Sequence, residues 1–251
     1  MWETGESAKD ILKAPRWPSS FPLGPQHLAR LDESADTKFY AQPRFVHHID
    51  EHAIATLQKY YRGVLPRGGA VLDLMSSWTS HLAPDAGQDK ADGWFKRVSA
   101  VGMVDAELQR NPALHDYHVA DLNASPTLAM YESESFDAVF CSVSVDYLSN
   151  PLPVFAEIRR VLKPDGIAVF TWSNRMFPTK ATRAWREASE PARLWICGSF
   201  FHFTPKGAGG GSGFSPPVGL DLSPHGGRSD PVYVVSARKL ADDEGATRDE
   251  L

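Results

Sequence analysis

The chain is poor in cysteine, has no basic block and contains no long apolar run, and each absence removes a class of protein. Its two cysteines, Cys141 and Cys197, both sit within apolar runs. That excludes a disulfide framework and reads as buried thiols of a reducing compartment. No apolar run approaches the roughly 18 residues needed to span a bilayer. The first twenty residues carry no signal-peptide apolar region, so the expected location is cytoplasmic, or an organelle stroma if the chain is a trimmed form. The terminal "RDEL" resembles an endoplasmic-reticulum retention signal, which acts only after entry to the secretory route. With 26 Lys and Arg against 31 Asp and Glu, the net charge is -5, and no nucleic-acid partner is expected.

Glycine is also missing from one particular place. The stretch from Val71 to Leu82 reads "VLDLMSSWTSHL". It starts as a buried parallel strand ending in a carboxylate, the usual entry to a nucleotide-type pocket. The turn that follows carries Met75, Ser76, Ser77, Trp78 and Thr79. Ser76 and Ser77 read as helix-starting residues, and Trp78 as a plug or core residue. Pro84, Asp85 and Gly87 come too soon for a full crossover helix, so that element is expected to be short or irregular.

The rest of the chain alternates. Residues up to about Lys38 are rich in Pro, Ser and charge, an arm lying on the surface or partly disordered. Phe45, Ile49, Ala53, Leu57 and Tyr60 follow helical spacing and predict an amphipathic helix stopped by Gly63 and Pro66. Apolar runs at 98–104, 136–145 and 166–173, with a weaker one at 116–121, predict further strands. "PLPVFAEIRRVLKPDG" predicts a helix with a Val154, Phe155, Ile158 and Leu162 stripe, ending at Lys163 to Gly166. "TKATRAWREA" is helical, and "PARLWICGSFFHF" fits helix or strand. Residues 207–213, "GAGGGSG", read as a flexible joint. "PVGLDLSP" and "DPVYVVSARK" predict two strands joined at "HGGRS". Strands alternating with helices imply an open, mostly parallel α/β sheet. The expected boundaries are an arm and the start of a lid helix at 1–52, one domain at 53–239, and a tail at 240–251.

Such sheets bind ligands at the carboxyl ends of their strands, so the residues just past each strand matter most. Taken in order, "VLDL", "AVGMVDAEL", "VADLN", "SFDAVFCSVSVDYL" and "EIRRVLKPDGIAVF" resemble the class I S-adenosylmethionine-dependent methyltransferases. The resemblance is strongest to the small-molecule branch that includes ubiquinone and menaquinone biosynthesis enzymes, spans roughly residues 45–239, and is most specific at 135–170. It implies a Rossmann-like sheet of seven strands, the last antiparallel, with helices on both faces. It also implies S-adenosylmethionine as cofactor and a small-molecule methyl acceptor as partner. Carried over, Asp73 faces the methionine ammonium, Met75 and Ser76 line the turn, and Asp121 and Leu122 hold adenine. Ser142 to Ser144 line the methionine end. The ribose carboxylate falls to Asp105 or Glu107, neither in the family's register. Tyr40, Tyr147, Asn174 and Arg175 would surround the transferred methyl, the last three as catalytic-side residues.

Each of these residues also has a plainer reading. Asp73 and Asp121 can be strand-end turn carboxylates, and Arg175 a helix-start ion pair. "HIDEH" matches a zinc-hydrolase pattern, His48 and His52 sharing a helix face with Glu51 as base, but nothing downstream is marked as a third ligand. The rival functions are therefore a methyltransferase-like scaffold that has lost its cofactor and, remotely, that zinc hydrolase.

Overall fold

The computed structural model describes residues 12–85, 93–206, 211–224 and 228–241. Seven strands form its sheet: β1 Ala70–Ser76, β2 Arg97–Gly102, β3 Asp116–Val119, β4 Phe136–Ser142, β5 Leu162–Trp172, β6 Val218–Asp221 and β7 Tyr233–Arg238. Their order across the sheet is β3-β2-β1-β4-β5-β7-β6. The first five pair in parallel, while β7 runs antiparallel to both β5 and β6. Three longer helices flank it: α1 Glu51–Val64, α2 Pro151–Val161 and α3 Glu190–His202.

The strands are apolar on both sides because both faces are covered. Val71, Ala138, Phe140, Ile167, Val169 and Val234 meet Ala53, Leu57 and Tyr61 of α1. Alternate residues, including Leu72, Val139, Phe170 and Val235, meet Phe155 of α2 and Phe200 and Phe201 of α3. The Phe155 and Phe170 rings stack at 4.7 Å between centroids. The strand alternation of period two and the helix alternation near 3.6 thus resolve into one three-layer body.

Several expectations shift in detail. α1 begins at Glu51, because the Asp50 carboxylate accepts the Ala53 amide at 2.9 Å and caps it. Phe45 and Ile49 therefore precede the helix, and Tyr61 rather than Tyr60 completes its buried face. α2 stops at Val161, and Leu162 already pairs with Phe136 before a bulge returns the register at Ile167. The ambiguous apolar segment is helix α3, and "TKATRAWREA" is helical only over Arg183–Glu187. Among the described residues no helix joins β1 to β2. The joint at 207–210, the turn residues 225–227 and the tail beyond 241 lie outside the described residues.

The arm departs most from expectation. From Leu12 onward it is packed on the body: Leu12 is buried, and Leu12 and Trp17 press against Gly198 of α3. Its other end is held by charge. Arg30 grips both oxygens of buried Asp36, at 2.7 and 2.8 Å. Lys180, fully buried, reaches Asp36 at 3.1 Å and the carbonyl oxygen of Ser34 at 2.7 Å. Asn123 donates to the same carboxylate and to the carbonyl oxygen of Tyr147. A stretch rich in Pro, Ser and charge can fold here because Asp32 and Asp36 pair with Lys180, far along the chain, and Asp36 also with nearby Arg30. Replacing Lys180 with Met leaves Asp36 one cation short in a buried setting, and is expected to cost about 3 kcal/mol. Urea denaturation measures that cost, and limited proteolysis should then cut between Arg30 and Arg44.

Candidate functional site

A cleft of about 320 Å³ opens at the carboxyl ends of the parallel strands, roofed by the arm between Asp36 and His48. Its floor is the last part of β1 and the turn that follows it. There Met75 takes φ 57, a left-handed conformation that normally belongs to glycine. The β1–β2 register slips between Leu74 and Ser76, so the chain bulges where it turns. A glycine does the complementary task on the neighbouring strand: a Cβ on Gly102 would stand 2.3 Å from the Ser76 carbonyl oxygen. Close approach is preserved by moving the missing side chain across to β2.

The polar residues of the turn are used as well. Asp73 is almost wholly buried, and Ser76 Oγ donates to its Oδ2 at 2.6 Å. Burial pushes the Asp73 carboxyl up to about 7, against the opposing effect of the Ser76 and Ser80 hydroxyls. Ser77 Oγ donates to Glu107 Oε2 at 2.6 Å, while the Arg44 amide donates to Oε1 at 2.6 Å. Trp78 donates its indole N–H to the Val46 carbonyl oxygen at 3.1 Å, and its ring lies 4.6 Å from that of His47. Trp78 is thus a clasp for the arm rather than a core plug. Neither serine caps a helix, because no helix starts there.

The remaining expected residues divide. Met75, Asp121, Leu122, Ser142, Tyr147 and Arg175 all line the cleft. Asp121 Oδ1 accepts the Asn123 and Ala124 amides, which fixes its turn. Ser142 Oγ lies 2.7 Å from the Tyr61 hydroxyl, itself bonded to Thr171. Tyr147 accepts the Phe177 amide at 2.8 Å, and Arg175 pairs at the rim with Asp230. Asp105 and Asn174 do not line the cleft. Asp105 is exposed and accepts from Tyr117 and Gln109. In the helical turn Asp105–Leu108, residues two apart point to opposite sides, so Glu107 turns inward and Asp105 outward. Asn174 is exposed on the loop after β5.

The zinc pattern loses its geometric premise. His48 precedes the Asp50 cap and sets its ring against Phe177 at 5.3 Å, so it shares no helical face with His52. Among the described residues no group of three or more His, Cys, Asp or Glu side chains is placed to hold a metal. Nor is any described helix long and apolar enough to cross a membrane. Sequence reasoning missed Arg44, whose backbone and side chain both serve the cleft, and His81, a buried imidazole lining it at φ 52. Only the structure relates Arg44 to Glu107, 63 positions away.

Residues 97–170 match the family model described as "Methyltransferase domain". This is the Rossmann-like fold of the S-adenosylmethionine-dependent methyltransferases. A 100-residue stretch is 30% identical to the biotin biosynthesis bifunctional protein BioHC of Teredinibacter turnerae, covering 38% of this chain and 17% of that protein. An 85-residue stretch is 31% identical to a malonyl-[acyl-carrier protein] O-methyltransferase of Marinomonas sp., covering 33% and 30% respectively. The aligned stretches thus span less than a third of these curated relatives. In three dimensions the chain is similar to phosphoethanolamine N-methyltransferase 2 of Haemonchus contortus, a structure holding S-adenosylhomocysteine and phosphomonomethylethanolamine. That match has a TM-score of 0.50 and 15% identity, covering 76% of this chain and 52% of the other.

Because the Asp73 carboxyl binds its proton more tightly folded, near 7, than unfolded, near 3.8, the sign of its linkage is fixed. Its contribution to stability is fully present below about pH 4 and is lost as pH rises through 7. The Asp73→Asn variant is neutral throughout. It should exceed the parent protein in stability at pH 8 by on the order of 2 kcal/mol, and by much less at pH 4.5, as read from urea midpoints.

Proposed function

We propose that this chain binds S-adenosylmethionine in the cleft and transfers its methyl group to a small-molecule acceptor. The observation that carries this reading is Asp73: a carboxylate midway along β1, buried in the floor of an open cleft, with hydroxyls but, among the described residues, no cation beside it. A buried acid of this kind is costly unless something positive completes it. The ammonium of a methionine moiety fits, and each charge then offsets the other's desolvation. In this reading Glu107, a cleft-lining carboxylate, accepts from the ribose, and the Asp121 turn with buried Leu122 receives the base. The matched family segment and the similarity to a malonyl-[acyl-carrier protein] O-methyltransferase support the same reading.

When bound, S-adenosylmethionine supplies an electrophilic methyl on a positively charged sulfur. The chain's part is alignment and exclusion of water. The arm roofs the cleft, fastened by the Trp78 clasp and by Glu107. Ser142, fixed by Tyr61, and Ser144, donating to the Ser142 carbonyl oxygen at 3.0 Å, border the methionine end. Tyr147 and Phe177 lie beyond, with their ring centroids 6.0 Å apart, facing the space left for an acceptor.

Isothermal titration with S-adenosylhomocysteine at pH 8 tests the reading. Binding is expected in the parent protein and should weaken about 100-fold in Asp73→Asn, the loss of a charge-assisted contact worth ~3 kcal/mol. No binding at millimolar ligand would remove the enzyme reading and leave a methyltransferase-like scaffold. Unchanged affinity in Asp73→Asn would show that this carboxylate is not the anchor.

A further inference from the structure

At the acceptor end of the cleft, Arg44 is a cation with no ionic partner among the described residues. The guanidinium of Arg44 makes one hydrogen bond, from Nη2 to the Phe39 carbonyl oxygen at 2.9 Å. Its Nη1 is buried without a partner, and the group forms no ion pair among the described residues. Three rings surround it: the guanidinium carbon lies 4.8 Å from the centre of Phe39, 5.4 Å from Phe177 and 5.7 Å from Tyr40. Such faces hold a cation in place without consuming its hydrogen bonds.

The carboxylates nearby are already answered. Asp36 is shared by Arg30, Lys180 and Asn123. Glu107 is held by the Ser77 hydroxyl and by the amide, not the guanidinium, of Arg44. On the same side His47, His48 and His81 gather, and the Nδ1 of His81 is buried without a partner. With both of these carboxylates occupied, the Arg44 guanidinium is a positive charge without an ionic partner among the described residues, in a space walled by Phe177 and Tyr147. A buried donor left unpaired is costly, and a carboxylate is a fitting acceptor for it.

We propose that Arg44 is the recognition group for the methyl acceptor, and that the acceptor is a small carboxylic acid with an aromatic or otherwise apolar body. This rests on the reading of the cleft as a methyl-transfer site. The guanidinium takes the carboxylate through Nη1, and the ring wall takes the apolar body. The same residue's amide keeps the arm on Glu107, so acceptor recognition and closure over the cofactor side are joined in one residue. The side chain can be removed without deleting the amide, which makes the two roles separable.

The test is calorimetric titration of the full chain, saturated with S-adenosylhomocysteine. The probes are benzoate, 3-phenylpropionate, the two matching amides and inorganic phosphate. At least one acid is expected to bind about tenfold more tightly than its amide and more tightly than phosphate. Arg44→Met should lose about tenfold of that affinity, and Arg44→Lys should recover part of it. S-adenosylhomocysteine affinity should stay within about twofold in both variants, since charge-assisted contacts to the acid, not the Glu107 tie, are what they remove. Equal binding of acid and amide, acid binding indifferent to Arg44→Met, or no acid binding would each overturn the proposal. Phosphate binding more tightly than either acid would overturn the carboxylic-acid assignment in favour of a phosphorylated acceptor. If S-adenosylhomocysteine itself fails to bind, the acids are titrated alone. Arg44-dependent binding then upholds the acid site while the cofactor reading falls, and its absence defeats both.

Discussion

Everything at the cleft depends on a carboxyl group placed where water cannot reach it. Asp73 lies midway along a strand that is buried on both faces, so its side chain enters the interior of the protein rather than the solvent at the rim. Burial alone favours the neutral acid and sets its proton affinity near neutrality. The surrounding chain answers with hydroxyls, which soften the cost without removing it. An unfinished charge balance of this kind destabilises the empty fold where the acid is ionised, and is relieved by a proton or by a cationic partner. Functional sites often hold such imbalances, and here it lies at the centre of the sheet's carboxyl edge.

The turn after Asp73 solves the same steric problem that glycines usually solve, by other means. Met75 accepts the left-handed conformation, Gly102 clears space on the adjacent strand, and the freed positions carry side chains. Ser76 goes to Asp73, Ser77 to Glu107 and Trp78 to the arm. A glycine at those positions provides backbone freedom but no such contacts. The turn therefore couples the cofactor side of the cleft to its roof. The roof is itself anchored by the Arg30, Asp36 and Lys180 cluster behind Asn123.

The sheet was legible in the sequence because its strands are continuous apolar runs between clear helix stops, and periodicity reports burial directly. That Asp121 and Ser142 line the cleft was legible for a related reason, since a strand end in a parallel sheet defines the rim; β1 instead runs on past Asp73 to Ser76. Asp105 was misplaced because a strand-end rule cannot say which face of a following helical turn points inward. The arm resisted because its order comes from ion pairs and ring contacts with distant residues, which leave no periodic trace. Arg44 is the clearest case, since nothing local distinguishes it from a solvated arginine. Its meaning comes from Phe39, Phe177 and Glu107 brought together by the fold.

The most direct measurement of the central claim is the proton balance of cofactor binding. Titrating S-adenosylhomocysteine at pH 6.5 in buffers of different ionisation enthalpy gives the number of protons exchanged. If Asp73 ionises to receive the ammonium, binding releases a fraction of a proton at pH 6.5, and the release disappears in Asp73→Asn. Binding with no proton released, or with the same release in the variant, would contradict the assignment of Asp73 as the anchor.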